Sequence, residues 1–581
     1  MKRLLLPAAL AALVLAAYAP SLGGDYLWDD DLYLVSNRAL EGPGALKRIW
    51  TEPQTPQYYP LVFTSFWLER KLWGLKPSAT RSLNAVLHAA DAWLFGAALA
   101  ALGVPGAWAA PFLFALHPVQ VETVAWMAER KNLLSTLFYL LAFLAYWSFR
   151  QAQGPRRRRL YAVSLGLFLC ALWSKTVTCS LPAAILLCIA WRERRAPGWK
   201  DLKPLLPFFA LGAGLGALTV WYETHRVGAS GAAWALSPAA RLALAGRVPW
   251  FYLGKLLWPA PLIFIYPRWV IAPSSPGAWL PLLALLGTFA ALWAKRSNEA
   301  CRAALFALAF FVLTLFPALG FFNVYPFRYS FVADHFQYLA SLGPIALAAA
   351  ALSLLPAGRT AAVGILSLAL FAMTFDRSRA FHGLEGLWKD TLRKNPAAWI
   401  AHNNLGKLYV EADRIGDGLG HLEAALKLNP EGAETLNNIA VALIRIGQPQ
   451  QAVKILGRAL KVKPEYLDAR FNLGVALDAM NLTEEAAAQY AEVLKEAPSR
   501  SEARYNLALD MMRSGQVVEA LPHLRRVAAE NPIPHAFNNL GAALAMLGRH
   551  DEAEAEFRRA LSLDPRNEEA AANLQRLPRK P

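Results

Sequence analysis

Charge is scarce in this chain. Asp, Glu, Lys and Arg supply 17% of its 581 residues against 56% apolar ones, which excludes a disordered or polyelectrolyte protein. Cysteine is scarcer still: Cys170, Cys179, Cys188 and Cys301 show no Cys-x-x-Cys spacing and lie in or beside apolar stretches. No disulfide framework is implied, and they read as small packing residues. Acidic residues are outnumbered by basic ones, 42 to 59. The resulting charge of +17 does not read as a nucleic-acid surface, because much of the excess sits in short clusters between apolar runs. These are Lys2-Arg3, Arg156 to Arg159, Arg192/Arg194/Arg195 and Lys295-Arg296 with Arg302. That is the positive-inside pattern of a chain whose partner is a lipid bilayer.

What is present divides near residue 378. Before it, apolar runs predict helical spans near 5–22, 84–101, 106–119, 132–149, 160–174, 180–191, 204–221, 278–294, 301–319, 341–356 and 359–376. The expected architecture is all-α: a transmembrane helical bundle of about eleven spans over 1–378, a linker over 379–395 and a repeat solenoid over 396–581. Eleven crossings place the first loop and the C-terminal half outside the cytoplasm, in an inner membrane of bacterial type. The segment 242–267 is apolar enough for a twelfth crossing, but its Trp250, Tyr252, Trp258 and Tyr266 suit an interfacial helix or hairpin. The first twenty residues also read as a cleavable signal peptide; a retained anchor gives the same downstream topology.

Ionisable groups near membrane depth are costly and so mark candidate sites. Asp29, Asp30 and Asp31 follow the first span, and adjacent carboxylates raise one another's pKa, which suits proton abstraction or cation binding. His117-Pro118 precedes Glu122, Glu129, Arg130 and Lys131; Pro118 can open a helix on which Glu122 and Glu129 share a face. His117 alone reads more readily as a capped core histidine than as a ligand. Lys175 lies between two apolar runs, and Arg328, Asp334, His335 and Tyr338 lie in a later outer loop. All of these clusters map to one face of the membrane. Carboxylates, cations and aromatics together there suit a lipid-linked phosphate and a polar acceptor.

A series of short strings resembles the TPR-containing protein O-mannosyltransferases: Asp25-Tyr26-Leu27-Trp28-Asp29-Asp30-Asp31, Tyr59-Pro60-Leu61, Leu72-Trp73-Gly74-Leu75-Lys76-Pro77, Asn84-Ala85-Val86-Leu87-His88, Phe112 to Pro118, and Ala128-Glu129-Arg130-Lys131-Asn132. The resemblance implies a type C glycosyltransferase fold, a polyprenyl-phosphate sugar donor and catalysis by acidic residues of the first outer loop. It matches Asp29 and Asp30 to the acidic pair, Glu122 and Arg130 to the second loop motif, and Lys175 to a lysine after the fifth span. The last motif departs from the family's Ala-Asp-Arg-Tyr: here it reads Ala333-Asp334-His335-Phe336.

The C-terminal half repeats. Pro396, Pro430, Pro464, Pro498, Pro532 and Pro565 are spaced by 34 or 33 residues, the period of TPR helix pairs. Small residues recur at Gly406, Ala440, Gly474, Ala508 and Gly541, where paired helices must approach. Asn404, Asn438, Asn472, Asn506 and Asn539 form a column once per repeat. Such amides can grip a peptide backbone or make local hydrogen bonds.

Together these features predict a membrane glycosyltransferase moving a sugar from a polyprenyl-phosphate carrier to a hydroxyl of a protein recruited by the repeat arm. Asp29 or Asp30 would be the base, with Glu122 beside them; Arg130, Lys175 and Arg328 would meet the donor phosphate. His117, Asp334, His335 and Tyr338 are further candidates. No cofactor is required, although Asp29, Asp30 and Glu122 offer oxygen ligands for a divalent metal. The alternatives are a lipid-linked glycan ligase or polymerase and a non-catalytic TPR scaffold; a scaffold would need only one span.

Overall fold

A computed structural model of the chain describes residues 2–52, 55–229, 231 and 234–578, the first four of these by backbone alone. Among the described residues every regular element is helical and none is a strand. The chain forms two compact units, Met1–Ala398 and Trp399–Pro581.

Among the described residues of the first unit, seven helices are long and apolar enough to cross a bilayer: Pro77–Leu102, Met127–Gln151, Thr176–Glu193, Trp199–Val227, Pro276–Ala294, Glu299–Ala318 and Arg359–Arg379. Leu6–Leu22 and Leu342–Ser353 are apolar but shorter. Gly154–Ser174 has the length but carries Arg156 to Arg159 in its first turns.

The stretch 106–119, expected as a continuous span, contains only the helix Ala110–Ala115, about 9 Å of rise. Beyond it the chain continues through the short turns Pro118–Gln120 and Val121–Ala125. Even so it runs antiparallel along Pro77–Leu102. Pro111 lies against Gly96, where a Cβ would overlap its ring. His88 Nε2 meets the Ala115 carbonyl at 3.1 Å, Asn84 Nδ2 donates to Val124 O at 3.2 Å and Arg81 Nε donates to Ala125 O at 3.1 Å. From the other side Thr374 Oγ1 donates to Leu116 O at 2.7 Å. Breaking a helix frees carbonyls, and irregular backbone at membrane depth is tolerated only where protein covers and satisfies it. Nearly every residue from Ala109 to Leu133 is buried, so those conditions are met here. The buried polar residues Arg81, Asn84 and His88 of this largely apolar helix thus gain a structural reason.

Two further expectations change. Residues 379–395 are not a free linker: Leu384–Lys394 is a helix that buries Leu387, Trp388 and Thr391 within the first unit. Glu122 and Glu129 do not share one helix, because the backbone turns extended at Trp126 (φ −91°, ψ 114°). In the segment 242–267, Pro238–Leu257 is a helix that buries Ala240, Leu244, Val248 and Tyr252, while Leu242, Leu257 and Trp258 stay exposed.

The second unit consists of five consecutive helix pairs, from Trp399–Glu411 with Ile415–Leu428 to Pro534–Met546 with His550–Leu563, and a last helix Glu568–Arg576. The recurrent small residues do what the spacing predicts. A Cβ on Gly474 or Gly541 would run into the ring of Tyr490 or Phe557 on the paired helix.

Candidate active site

The acidic loop begins where Leu22 ends the first helix. Gly24 must be glycine, because a Cβ there would collide with the His382 carbonyl. Trp28 follows in the left-handed region at φ +36°, a conformation that persists only where surrounding contacts hold it. Its ring stacks on Trp126 (centroids 6.0 Å apart) and meets Phe264, Tyr329 and Trp388 edge-on. The fully buried Asp30 supplies the second constraint: Oδ2 accepts the Leu27 amide at 2.9 Å and Oδ1 the Ala128 amide at 2.7 Å.

The two acids, indistinguishable in sequence, therefore differ in their surroundings. Both oxygens of Asp30 are committed to backbone. Asp29 is only half-buried and accepts no side-chain hydrogen bond among the described residues; its charged neighbours are Lys131, Glu129 and His335. Burial pushes its carboxyl up to about 6, with Lys131 and His335 opposing and Glu129 reinforcing the rise. Burial pushes Asp30 up to about 7 despite the two amides.

Around Asp29 stands a polar cluster built on Glu129, which is 1% exposed. Lys131 Nζ lies 2.8 Å from Glu129 Oε1 and Lys175 Nζ 3.6 Å from Oε2. Asn132 ties the cluster together: Nδ2 donates to Glu129 Oε2 at 2.8 Å and to the His335 carbonyl at 3.0 Å, while Oδ1 accepts from Lys175 Nζ at 2.8 Å. His335 bridges the two glutamates, with Nδ1 2.6 Å from Glu122 Oε1 and Nε2 3.9 Å from Glu129 Oε1. The other Glu122 oxygen accepts the Asp334 amide at 3.2 Å. Burial pulls the Lys175 ammonium down to about 8, Glu129 countering and Lys131 adding to the drop. A chain of hydrogen bonds extends the cluster from Tyr33 Oη to Gln57 (2.6 Å) and from Gln57 to Glu223 (2.7 Å).

Asp29, Glu122, Lys175 and His335 are thus brought together. Asp334 adjoins them, its Oδ1 accepting from Tyr266 Oη at 2.8 Å; burial and Glu122 push it above the usual carboxylate range. Arg328 donates to Tyr325 Oη at 3.1 Å and lies over the Tyr329 ring, which itself packs on Trp28. Three candidates are elsewhere. Arg130, expected at the donor phosphate, is fully buried and holds Glu69, Asn84 and the Thr80 carbonyl (3.0 Å). His117 caps the turn that follows it and meets Leu256 O at 3.0 Å. Tyr338 is buried between Asp91 Oδ2 (2.8 Å) and His88 Nδ1 (2.7 Å).

The metal set Asp29, Asp30 and Glu122 does not fit a cation. Both Asp30 oxygens carry amide protons, and Glu122 is engaged by His335 and the Asp334 amide. Among the described residues no group of three or more His, Cys, Asp or Glu side chains has metal-holding geometry. The sequence placed Glu129 and Lys131 in a candidate cluster without a role for either, and Asn132 and Glu223 were passed over as site residues. The available signal was the density of polar residues over 129–132 at the start of an apolar run.

In the second unit the asparagine column is largely spent on the repeats themselves. Asn438 Nδ2 donates to Asn403 Oδ1 at 3.0 Å, Asn472 Nδ2 to Asn437 Oδ1 at 2.8 Å and Asn539 Nδ2 to Tyr505 Oη at 2.5 Å. Asn506 faces the Tyr490 hydroxyl, and Asn404 Oδ1 accepts from Asn403 at 3.0 Å. These are local bonds within and between neighbouring repeats.

Residues 403–449, 437–501 and 505–568 match the family model for the tetratricopeptide repeat. The chain is similar to proteins named protein O-mannosyl-transferase. It is 33% identical over 173 residues to protein O-mannosyl-transferase TMTC2 of Mus musculus, covering 28% of this chain and 21% of that one. It is 30% identical over 174 residues to TMTC3 of Homo sapiens, covering 28% and 19%. A protein O-mannosyl-transferase of Caenorhabditis elegans is 25% identical over 443 residues, 72% of this chain and 62% of its own length. The chain thus spans about a fifth of the length of the first two relatives. Among solved structures, a crystal structure titled as YrrB, "a TPR protein with an unusual peptide-binding site", is 19% identical with a TM-score of 0.29, covering 32% of this chain and 97% of its own.

Proposed function

We propose that this chain is a membrane glycosyltransferase that moves a sugar from a polyprenyl-phosphate carrier to a hydroxyl on a protein, outside the cytoplasm. The observation that carries this reading is the Asp29 carboxylate, uncommitted to any hydrogen bond among the described residues, beside Lys131 and Glu129, the glutamate that also gathers Lys175. Similarity to proteins named O-mannosyl-transferases supports the reaction class and makes mannose the first sugar to test.

Asp29 accepts the proton of the acceptor hydroxyl as its oxygen attacks the anomeric carbon. Its raised pKa, about 6, makes it a stronger base than an ordinary aspartate while leaving it ionised at neutral pH. The carrier phosphate leaves, and its charge grows in the transition state. Lys175 is the principal counter-charge, with Lys131 and, from the Tyr325/Tyr329 side, Arg328. Glu129, Asn132 and Glu122 position the cations and His335, and Asp30 positions the loop.

The topology follows from the basic clusters together with the broken third segment. Counted as one crossing, 106–126 returns the chain to the side it left, so eleven crossings keep the second unit on the same side as Asp29. The repeats there recruit acceptor protein through surfaces other than the bonded asparagine amides. The deciding experiment reconstitutes the full chain with polyprenyl-phosphate mannose and an extracytoplasmic acceptor protein. Transfer by the native chain and its loss in Asp29→Asn are expected; equal transfer by both overturns the assignment.

A further inference from the structure

A second cluster of charge lies in the first unit, outside the Asp29 site. The helix Arg359–Arg379 and the helix Leu384–Lys394 border a cavity of about 610 Å³. Five basic residues line it, Arg377, Arg379, Lys389, Arg393 and Lys394, with two acids, Asp376 and Asp390. Asp390 is the centre: Arg377 Nη1 reaches Oδ2 at 2.5 Å, Lys394 Nζ reaches the same oxygen at 2.7 Å and Arg393 Nη2 reaches Oδ1 at 2.6 Å. One carboxylate thus serves three cations, and two positive charges stay unbalanced there. Asp376 and Glu385 do not relieve them, since each faces another base, Arg379 at 3.6 Å and Lys389 at 2.7 Å.

The guanidinium of Arg377 supplies an independent observation. The residue is 8% exposed, and its Nη2 is buried with no hydrogen-bond partner among the described residues. A buried charged donor left unpaired costs more than a made hydrogen bond contributes. The guanidinium lies over the Phe381 ring, 5.0 Å from its centroid, at the cavity wall; one arm is on Asp390 and the other is an enclosed, unspent donor that a small side-chain shift can turn to an oxyanion. An aromatic wall separates this place from Asp29: Phe264 packs on Trp28, Trp388 and Phe381 at 5.7, 5.6 and 5.9 Å.

We infer that this cavity is a binding site for a phosphate group, with Arg377, Lys394 and Arg393 as its donors. On the proposed topology it lies at the outer end of the last membrane helix, within reach of lipid headgroups. The donor chemistry is the same for a headgroup phosphate and for free phosphate, and the test separates them. The site is inferred from charge and burial alone and stands whether or not Asp29 catalyses transfer.

The test is thermal unfolding of the full chain in a neutral detergent, titrated in parallel with phosphatidylglycerol, phosphatidylcholine, inorganic phosphate and sodium chloride at matched ionic strength. Phosphatidylglycerol is expected to raise the Tm saturably, with phosphatidylcholine and chloride far weaker. Saturable stabilisation by inorganic phosphate alone would also support the site and identify free phosphate as the source. Arg377→Gln is expected to weaken binding about tenfold or more, as loss of a charged hydrogen bond does. Arg393→Gln is the companion, since its side chain is 75% exposed and the fold does not depend on it; a shift of its midpoint to higher lipid or phosphate concentration supports the site. No saturable stabilisation by either ligand, or an unchanged midpoint in folded Arg377→Gln or Arg393→Gln, overturns it.

Discussion

The Asp30 carboxylate accepts the backbone amide of Ala128 at 2.7 Å, joining residues 98 positions apart in the chain. With its second oxygen on Leu27, that bond holds the strained Trp28 and the following Asp29 against the start of the helix Arg130–Gln151. An asparagine at 30 has one acceptor and one donor, so it must point its NH₂ at one of the two amides. Asp30→Asn is therefore expected to lose stability, about 1–3 kcal/mol, together with activity. Asp29→Asn is expected to fold with native stability and lose transfer by roughly 10²-fold or more. Thermal unfolding and transfer assays on the pair check this; native stability and full activity in Asp30→Asn would remove its positioning role.

The same geometry makes a pH prediction. Asp29, pushed up to about 6, is the competent base only when ionised, so kcat/KM should rise as pH increases through about 6. Lys175, pulled down to about 8, serves the phosphate only when protonated, so the rate should fall as pH rises through about 8. The expected profile is a bell. Lys175→Arg should carry the alkaline limb upward while leaving the acid limb in place, and an alkaline limb that stays near 8 would detach it from Lys175.

His335 bridges Glu122 and Glu129 where the resembling family carries arginine. Arginine also presents donors to both carboxylates, so His335→Arg should retain activity within about tenfold, whereas His335→Ala should lose it and lower the Tm, because the buried Glu122 Oε1 loses its 2.6 Å partner. Equal activity in the alanine variant would show that the bridge is dispensable.

The broken third segment depends on side chains of the helix Pro77–Leu102. His88→Leu removes the partner of the Ala115 carbonyl and one of the two partners of Tyr338, which keeps Asp91, at an expected cost of about 1–3 kcal/mol for the carbonyl left buried and unpaired. Hydrogen exchange should rise along 110–126 ahead of the rest of the unit. A reporter fused after Arg377 should be active outside the cytoplasm; activity inside would break the eleven-crossing count.

In the repeats, Asn472→Ala should destabilise the second unit through loss of its bond to Asn437, and a double-mutant cycle with Asn437→Ala should return a coupling of about 0.5–1.5 kcal/mol. Zero coupling in folded variants would return the column to the role of a peptide ladder.

Periodicity is a local property, and it was legible. A 34-residue spacing of prolines and small residues is enough to specify helix pairs, because each pair packs mainly on its neighbours in sequence. Apolar runs likewise announced the long helices, since a bilayer demands about twenty apolar residues whatever their tertiary partners. Residues 106–126 defeated that logic: a segment of short broken pieces is held because Arg81, Asn84, His88 and Thr374 reach its carbonyls from other helices. The acids at 29 and 30 are the sharpest case. As neighbours of identical chemistry they carry no local signal to rank them, and the backbone amide of Ala128, brought 98 residues back by the fold, is what commits one to structure and leaves the other without a bonded partner among the described residues.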